Sequence, residues 1–179
     1  MGVGANLGDP VRQVERALLE LDRWGRLRVS SLYRAEPLGE RPQPWYINAV
    51  AELETSDAPA SLLRRLQGLE RRAGRWPGGE RWAPRVLDLD LLLVGHQVLE
   101  SPGLVLPHPA FQRRRFVLKP LVELTPEVRD PRSGLSARQL LGALDDPLRV
   151  EKLERAKIVG RGLGSSAGRS RVCLEVSKL

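Results

Sequence analysis

Apolar residues recur along the chain with two alternating periods. Val11, Val14, Leu18, Leu19 and Leu21 fall at helical spacing behind Asp9-Pro10, where Asp9 reads as an N-cap and Pro10 as the first helical residue. Trp24-Gly25 ends that segment. Arg26–Arg34 then alternates, with Leu27, Val29, Ser31 and Tyr33 on one face and Arg28, Ser30, Leu32 and Arg34 on the other, which predicts a strand. Tyr46–Thr55 predicts a second strand. Ser56-Asp57-Ala58-Pro59 opens a helix whose Leu62, Leu63, Leu66 and Leu69 carry it to about Ala73. Val86–Val94 predicts a strongly apolar strand interrupted by two aspartates, and Leu99–Leu106 a short strand region. Phe116–Leu124 and Ser136–Leu144 predict two more helices, separated by a turn at Pro131-Arg132-Ser133-Gly134. With the short apolar start Met1–Ala5, the order is β-α-β-β-α-β followed by mixed elements. It predicts an α+β fold: a ferredoxin-like βαββαβ sandwich with an antiparallel sheet and additional C-terminal elements.

Two connections interrupt this pattern. Glu36–Trp45 and Gly74–Pro84 are rich in Pro and Gly, and both carry aromatic and arginine side chains. They read either as simple long connections or as lids that close over a site. Residues 160–171 are rich in Gly, Ser and Arg and read as a flexible linker, after which Val172–Val176 either forms a final strand or stays disordered. The expected division is a body over residues 1–149 and a basic, partly flexible tail over 150–179.

Composition narrows the class. A chain of 179 residues with 41% hydrophobic and 28% charged positions buries a core and reads as one domain. The single cysteine, Cys173, excludes an intrachain disulfide and a cysteine-ligated metal. No apolar run is long enough to span a bilayer, and the first residues lack the charge pattern of a secretory signal, so the expectation is a cytoplasmic protein away from membranes. The net charge is +7, of which +4 falls in residues 150–179, where seven basic residues face three acidic ones. The body is therefore only mildly basic, and no nucleic-acid partner is expected for residues 1–149.

The sharpest local feature is Leu87-Asp88-Leu89-Asp90-Leu91. On a strand, Asp88 and Asp90 share one face while the leucines take the other. A carboxylate pair on an apolar strand is costly unless neutralised. An isolated Asp-x-Asp often faces solvent or pairs with arginine, but here the neighbourhood offers another partner. Arg71, Arg72, Arg75, Arg81 and Arg85 precede the pair among Trp76 and Trp82, and His108, Arg113, Arg114 and Arg115 follow it. Arginine forks suit phosphates, rings suit a flat heterocycle, and Mg²⁺ takes one or two carboxylates plus phosphate oxygens. This points to phosphoryl transfer from a nucleotide. Gly160-Arg161-Gly162-Leu163-Gly164 lacks the lysine and the flanking strand and helix of a P-loop, so a nucleotide would be held another way. Tyr46 and Asn48 share a strand face that suits either ordinary packing or a flat polar ligand.

Several segments together resemble one enzyme family, the 6-hydroxymethyl-7,8-dihydropterin pyrophosphokinases of folate biosynthesis. They are Gly4-Ala5-Asn6-Leu7-Gly8-Asp9, Ser31-Leu32-Tyr33-Arg34 with Pro37-Leu38-Gly39, Pro44-Trp45-Tyr46-Ile47-Asn48-Ala49, Gly74-Arg75, Glu80-Arg81-Trp82-Ala83-Pro84-Arg85, Leu87-Asp88-Leu89-Asp90, Pro107-His108-Pro109 and Arg114-Arg115-Phe116. Their order fits over residues 1 to about 145. The resemblance implies an ATP diphosphotransferase that releases AMP; a monomer is expected. By the same resemblance Asp88 and Asp90 bind two Mg²⁺ ions, and Arg75 and Arg85 bind phosphates. Gln67, Glu70, Trp82, His108 and Arg114 belong to the ATP site. Tyr46 and Phe116 sandwich the pterin, Leu38 and Asn48 contact it, and Trp82 closes over it. Two other readings compete: a metal-dependent nucleotidyl or glycosyl transferase built on Asp88-x-Asp90, and a nucleic-acid-binding role of the basic tail.

Overall fold

The computed structural model describes residues 4–37, 43–75, 86–153 and 170–175. Helix α1 (Pro10–Asp22) starts as the sequence predicts, with the Asp9 carboxylate accepting from the Arg12 N–H at 3.1 Å. It presents Val14, Ala17, Leu18 and Leu21 to the core. Helix α2 (Pro59–Arg72) buries Leu62, Leu66 and Leu69 in the same layer. Between them lie β1 (Arg26–Val29), β2 (Tyr33–Ala35), β3 (Tyr46–Asn48) and β4 (Val50–Thr55). Then follow β5 (Asp90–Val94), a hairpin of β6 (Leu99–Ser101) and β7 (Leu104–Leu106), helices α3 (Arg115–Leu124) and α4 (Ala137–Gly142), and strands β8 (Val150–Lys152) and β9 (Ser170–Glu175).

The main sheet has the order β1-β4-β9-β5, antiparallel throughout. Leu27, Ala51, Leu53, Leu91, Val94 and Val172 join the apolar layer under α1 and α2. Val50, Leu92, Leu93 and Cys173 join a second layer with α3 and α4, among Phe111, Phe116, Val117, Leu121 and Leu140. The result is an α+β, ferredoxin-like sandwich with helices on both faces of the sheet. The register of β5 on β9 shifts between Leu91 and Leu93, a bulge that lets Leu92 and Leu93 both serve the second layer. At Gly25 a Cβ would fall 2.1 Å from the Glu54 carbonyl oxygen, so only glycine lets the chain turn from α1 into β1 this close to β4. Among the described residues no helix is long and apolar enough to cross a membrane.

Four expected strand regions differ from the observed ones. Arg26–Arg34 is two strands, because the chain leaves the main sheet at Ser30-Ser31-Leu32, where the Ser30 hydroxyl accepts from the Val50 N–H at 3.0 Å. Tyr46–Thr55 is likewise β3 and β4, and β3 joins β2 and β8 in a small second sheet. Within Val86–Val94 only Asp90–Val94 is regular strand; Asp88 pairs singly with Gly4. The Leu99–Leu106 region resolves into the β6–β7 hairpin around Gly103, at φ +79°. Beyond residue 149 the chain forms two strands that pair with the body. β8 is tied down as Lys152 and Tyr33 both donate to the Glu123 carboxylate, at 3.0 and 2.7 Å. β9 begins at Ser170, inside the stretch that composition marks as linker, and lies in the interior of the main sheet.

Candidate active site

Leu87, Leu89 and Leu91 are 2–4% exposed and belong to the layer under α1 and α2, which turns Asp88 and Asp90 the other way. Backbone pairing fixes Asp88: its N–H donates to the Gly4 carbonyl at 3.1 Å. Asp88 is 4% exposed and Asp90 half-buried. The end of α2 supplies the other charged groups. After the cap residue Ala73, Gly74 takes φ +97°, its N–H donates to Arg71 and the Arg75 N–H donates to the Glu70 carbonyl, both at 3.0 Å. This Schellman turn ends the helix and folds Arg75 back over it. The Arg75 guanidinium then donates to the Glu70 carboxylate and, at 2.5 Å, to Asp88. Glu70 also accepts from the Leu89 N–H at 2.8 Å, so α2 and the aspartate strand share one buried carboxylate.

Charge is crowded here. Burial pushes Glu70 up from 4.5 to about 7; Arg75 pulls against that rise and the Asp88 charge adds to it. Glu70 is only 4% exposed, while Arg75 keeps 32% of its side chain in solvent. Among the described residues no cluster of three or more His, Cys, Asp or Glu forms a metal cage. A hard dication held by one or two carboxylates needs no such cage, and an acid that burial raises to about 7 beside a second carboxylate is a donor set that such an ion would relieve.

A second group adjoins the first through the N-terminal segment. Gly4 pairs with Asp88 and Ala5 with Ile47, so this segment bridges the aspartates to β3. On β3, Tyr46 and Asn48 are both buried. The Tyr46 hydroxyl donates to the Gln43 side chain at 2.7 Å, and Asn48 donates to the Tyr46 carbonyl at 3.4 Å. Asn6 is 3% exposed and donates to the same Gln43 oxygen, so Asn6-Leu7-Gly8 is more than the simple turn its sequence allows.

A third group flanks β5 on its far side. Past the cis Leu106–Pro107 bond, the His108 N–H donates to the Leu92 carbonyl at 2.9 Å. The imidazole Nδ1 accepts from the Ala110 N–H at 3.2 Å. Burial, and then the charge of Arg114, lowers His108 from 6.5 to about 4, so the ring is neutral with its proton on Nε2. Arg114 is 6% exposed and its guanidinium lies 5.8 Å from the centre of the buried Phe116 ring. Arg115 anchors the start of α3, donating its N–H to Asp146 at 2.8 Å.

The structure thus gathers Glu70, Arg75 and Asp88 by direct contact, with Asp90, Tyr46 and Asn48 on the adjoining strands and His108, Arg114 and Phe116 at the other flank of β5. Gln67 stands apart, exposed on α2 one turn before Glu70. Leu38, Trp82 and Arg85 lie outside the described residues, as do the inner parts of both expected lids. Gln43 was not among the expected site residues; only the position of Tyr46 reveals it.

A family model described as 7,8-dihydro-6-hydroxymethylpterin-pyrophosphokinase matches residues 1–126. The 2-amino-4-hydroxy-6-hydroxymethyldihydropteridine pyrophosphokinase of Pseudomonas aeruginosa is 44% identical over 146 residues, covering 80% of this chain and 89% of that protein. The protein of the same description from Synechocystis is 41% identical over 148 residues, covering 81% and 75%. The folic acid synthesis protein fol1 of Schizosaccharomyces pombe is 36% identical over 147 residues, which is 80% of this chain and 20% of that protein.

Proposed function

We propose the following roles on one premise: the chain belongs to the 7,8-dihydro-6-hydroxymethylpterin-pyrophosphokinase family. Its reaction is the transfer of the pyrophosphoryl group of ATP to the hydroxymethyl group of 6-hydroxymethyl-7,8-dihydropterin, in folate biosynthesis. The hydroxymethyl oxygen forms a bond to the β-phosphorus, the bond from that phosphorus to the AMP oxygen breaks, and the hydroxyl proton is lost.

The observation that carries the assignment of roles is the buried Glu70–Arg75–Asp88 cluster at the end of the aspartate strand. Asp88 and Asp90 would hold two Mg²⁺ ions, with Glu70 beside them. Bound there, the ions supply charge neutralisation and alignment of the triphosphate. Arg75, partly exposed on its glycine turn, turns from Asp88 to the phosphates, and Arg85 joins it. His108, neutral with Nδ1 engaged, donates from Nε2 to the nucleotide, and Arg114 adds a fixed positive charge; Gln67 lies at the outer edge. Tyr46 and Phe116 offer their rings to the pterin, at about 0.5–1.5 kcal/mol per stacked pair beyond burial. Asn48 and Leu38 contact its edge and Trp82 covers it. We assign no general base among the described residues, so rate comes from positioning and charge neutralisation. The reading is completed by a monomer in the cytoplasm, where ATP is supplied and a lone thiol stays reduced.

The test measures AMP formed from ATP and the hydroxymethyl pterin, with and without Mg²⁺. Asp90→Ala is expected to lower turnover by at least about 10³-fold with the unfolding midpoint unchanged. Undiminished turnover, or full activity in excess chelator, removes the metal role and leaves the family assignment standing.

A further inference from the structure

Helix α2 has a second charged face, turned away from Glu70. Ser61, Arg65, Gly68 and Arg72 follow one another at steps of four, three and four, so they share one side of the helix. Gly68 and Glu70 are two residues apart, about 200° around the axis, which puts the acid cluster on the other side. Trp24, just past the end of α1, borders this second face. Together with Arg64 these residues line an open recess of about 500 Å³.

Gly68 lines the recess without a side chain. Glycine inside a helix is destabilising relative to alanine, and here no close contact demands it. A Cβ would lie 3.6 Å from Arg72 Nη1 and 3.9 Å from Arg71 Nη2, at ordinary contact distance. The missing side chain leaves space, with the Arg72 guanidinium folded back beside it. Arg65 is held on two sides: its guanidinium lies 3.9 Å from the centre of the Trp24 ring, and its Nη1 donates to Asp57. The Trp24 ring packs in turn against the core layer under α1 and α2. Arg64 donates to the Ser61 hydroxyl at 3.0 Å. Among the described residues neither Arg64 nor Arg72 meets a carboxylate, so the three guanidiniums of the recess share one acid, Asp57.

We propose that this recess is an anion site, distinct from the cluster at the aspartate strand, and that it takes a free oligophosphate, a small molecule with two or more linked phosphate groups. Guanidinium forks bind phosphate oxygens in pairs, and Arg65 needs little further ordering because stacking and the Asp57 pair already fix it. Arg64 and Arg72 lie eight residues apart, about 12 Å along the axis, a span that suits a short phosphate chain better than a single phosphate. The confined recess favours a compact ligand over a nucleic-acid strand, which needs a basic track many phosphates long.

Calorimetric titration of the full chain with sodium triphosphate, in chelator so that no metal-dependent site is loaded, tests this. One site with a Kd below about 1 mM is expected, weakening as salt rises. Arg65→Gln and Arg72→Gln should each weaken it about 10-fold or more, and Gly68→Met should abolish it with every charge kept. Arg138→Gln removes the same charge from an exposed pair with Glu127 and should change the Kd by less than about 2-fold. Gly68→Met should leave AMP formation from ATP and the hydroxymethyl pterin unchanged and should not lower the unfolding midpoint. Absence of binding, binding that survives Gly68→Met, a parallel loss of turnover in that variant, or an Arg138→Gln effect equal to that of Arg72→Gln overturns the proposal. So does a single-stranded RNA that binds through Arg65 and Arg72 where triphosphate does not.

Discussion

Glu70 offers the most direct test of the charge crowding at the aspartate strand. It is 4% exposed, accepts the Leu89 N–H and contacts Arg75, and burial pushes it from 4.5 to about 7. At about 1.4 kcal/mol per pH unit of displacement, this amounts to about 3 kcal/mol. The sign follows from which state binds the proton. Below pH 4.5 the group is protonated both folded and unfolded, and its ionisation costs nothing. Between 4.5 and about 7 the unfolded chain has released the proton while the folded chain still holds it. The contribution to stability therefore falls as pH rises and is fully lost above about 7. Glu70→Gln keeps an acceptor for the Leu89 N–H and cannot ionise. Urea unfolding of both proteins in chelator, at intervals from pH 4.5 to 8, isolates the group, because all other titrating residues are shared. The stability of the variant minus that of the parent should grow by about 3 kcal/mol across the range, whatever its starting value. Adding MgCl₂ should stabilise the parent more at pH 8 than at pH 5, and the variant should lose much of that dependence. A difference that stays flat to within about 0.5 kcal/mol would refute the reasoning.

The remaining predictions concern neighbouring groups. At Glu123 burial works to raise the carboxyl, and hydrogen bonds from Tyr33, Ser31 and Lys152 outweigh it and lower it. Glu123→Ala should cost about 2 kcal/mol in urea unfolding, a cost that shrinks as pH falls below 4.5; an unchanged midpoint would remove its role in fastening β8. His108 is neutral above about 4, so the KM for ATP should show no inflection between pH 6 and 7 that His108→Asn abolishes; such an inflection would mean that the imidazole titrates normally. Asn48→Ala should raise the KM for the pterin by about 10-fold or more and that for ATP much less, and equal effects would displace Asn48 from the pterin edge.

Helices were the most legible part of the sequence. The Asp9-Pro10 start of α1 stands where the residues place it, and the helix expected from Ser136 begins there on a capping box, because capping is local chemistry. The strands were less so. Alternation through Arg26–Arg34 and Tyr46–Thr55 cannot tell one strand from two, since a chain that crosses from one sheet to another keeps its period of two while changing partners. The Ser30 hydroxyl that marks the first crossing acts on Val50, twenty residues away. The site shows the same divide. Asp88 and Asp90 stand out because carboxylates are costly on an apolar strand, whereas Gln43 shows nothing until Tyr46 is placed against it. Val172–Val176 reads as either strand or disorder for the same reason: a short apolar run carries no mark of which sheet position will receive it.

The arrangement around Arg75 links this local chemistry to the fold. Glu70 and Asp88 both contact the Arg75 guanidinium, and burial, opposed by Arg75 and reinforced by Asp88, raises Glu70 to about 7. Apolar packing fixes both acids: Leu69 seats the end of α2 in the core, and Leu87 and Leu89 seat the aspartate strand. Arg75 is not fixed in that way, since it follows a glycine turn and keeps a third of its side chain in solvent. On the roles proposed above, a divalent cation taking over the charge of Asp88 would leave the acids in place and free the guanidinium to leave. Rigid acids and a movable cation would then let one site trade an internal ion pair for metal and phosphate without disturbing the sheet beneath it.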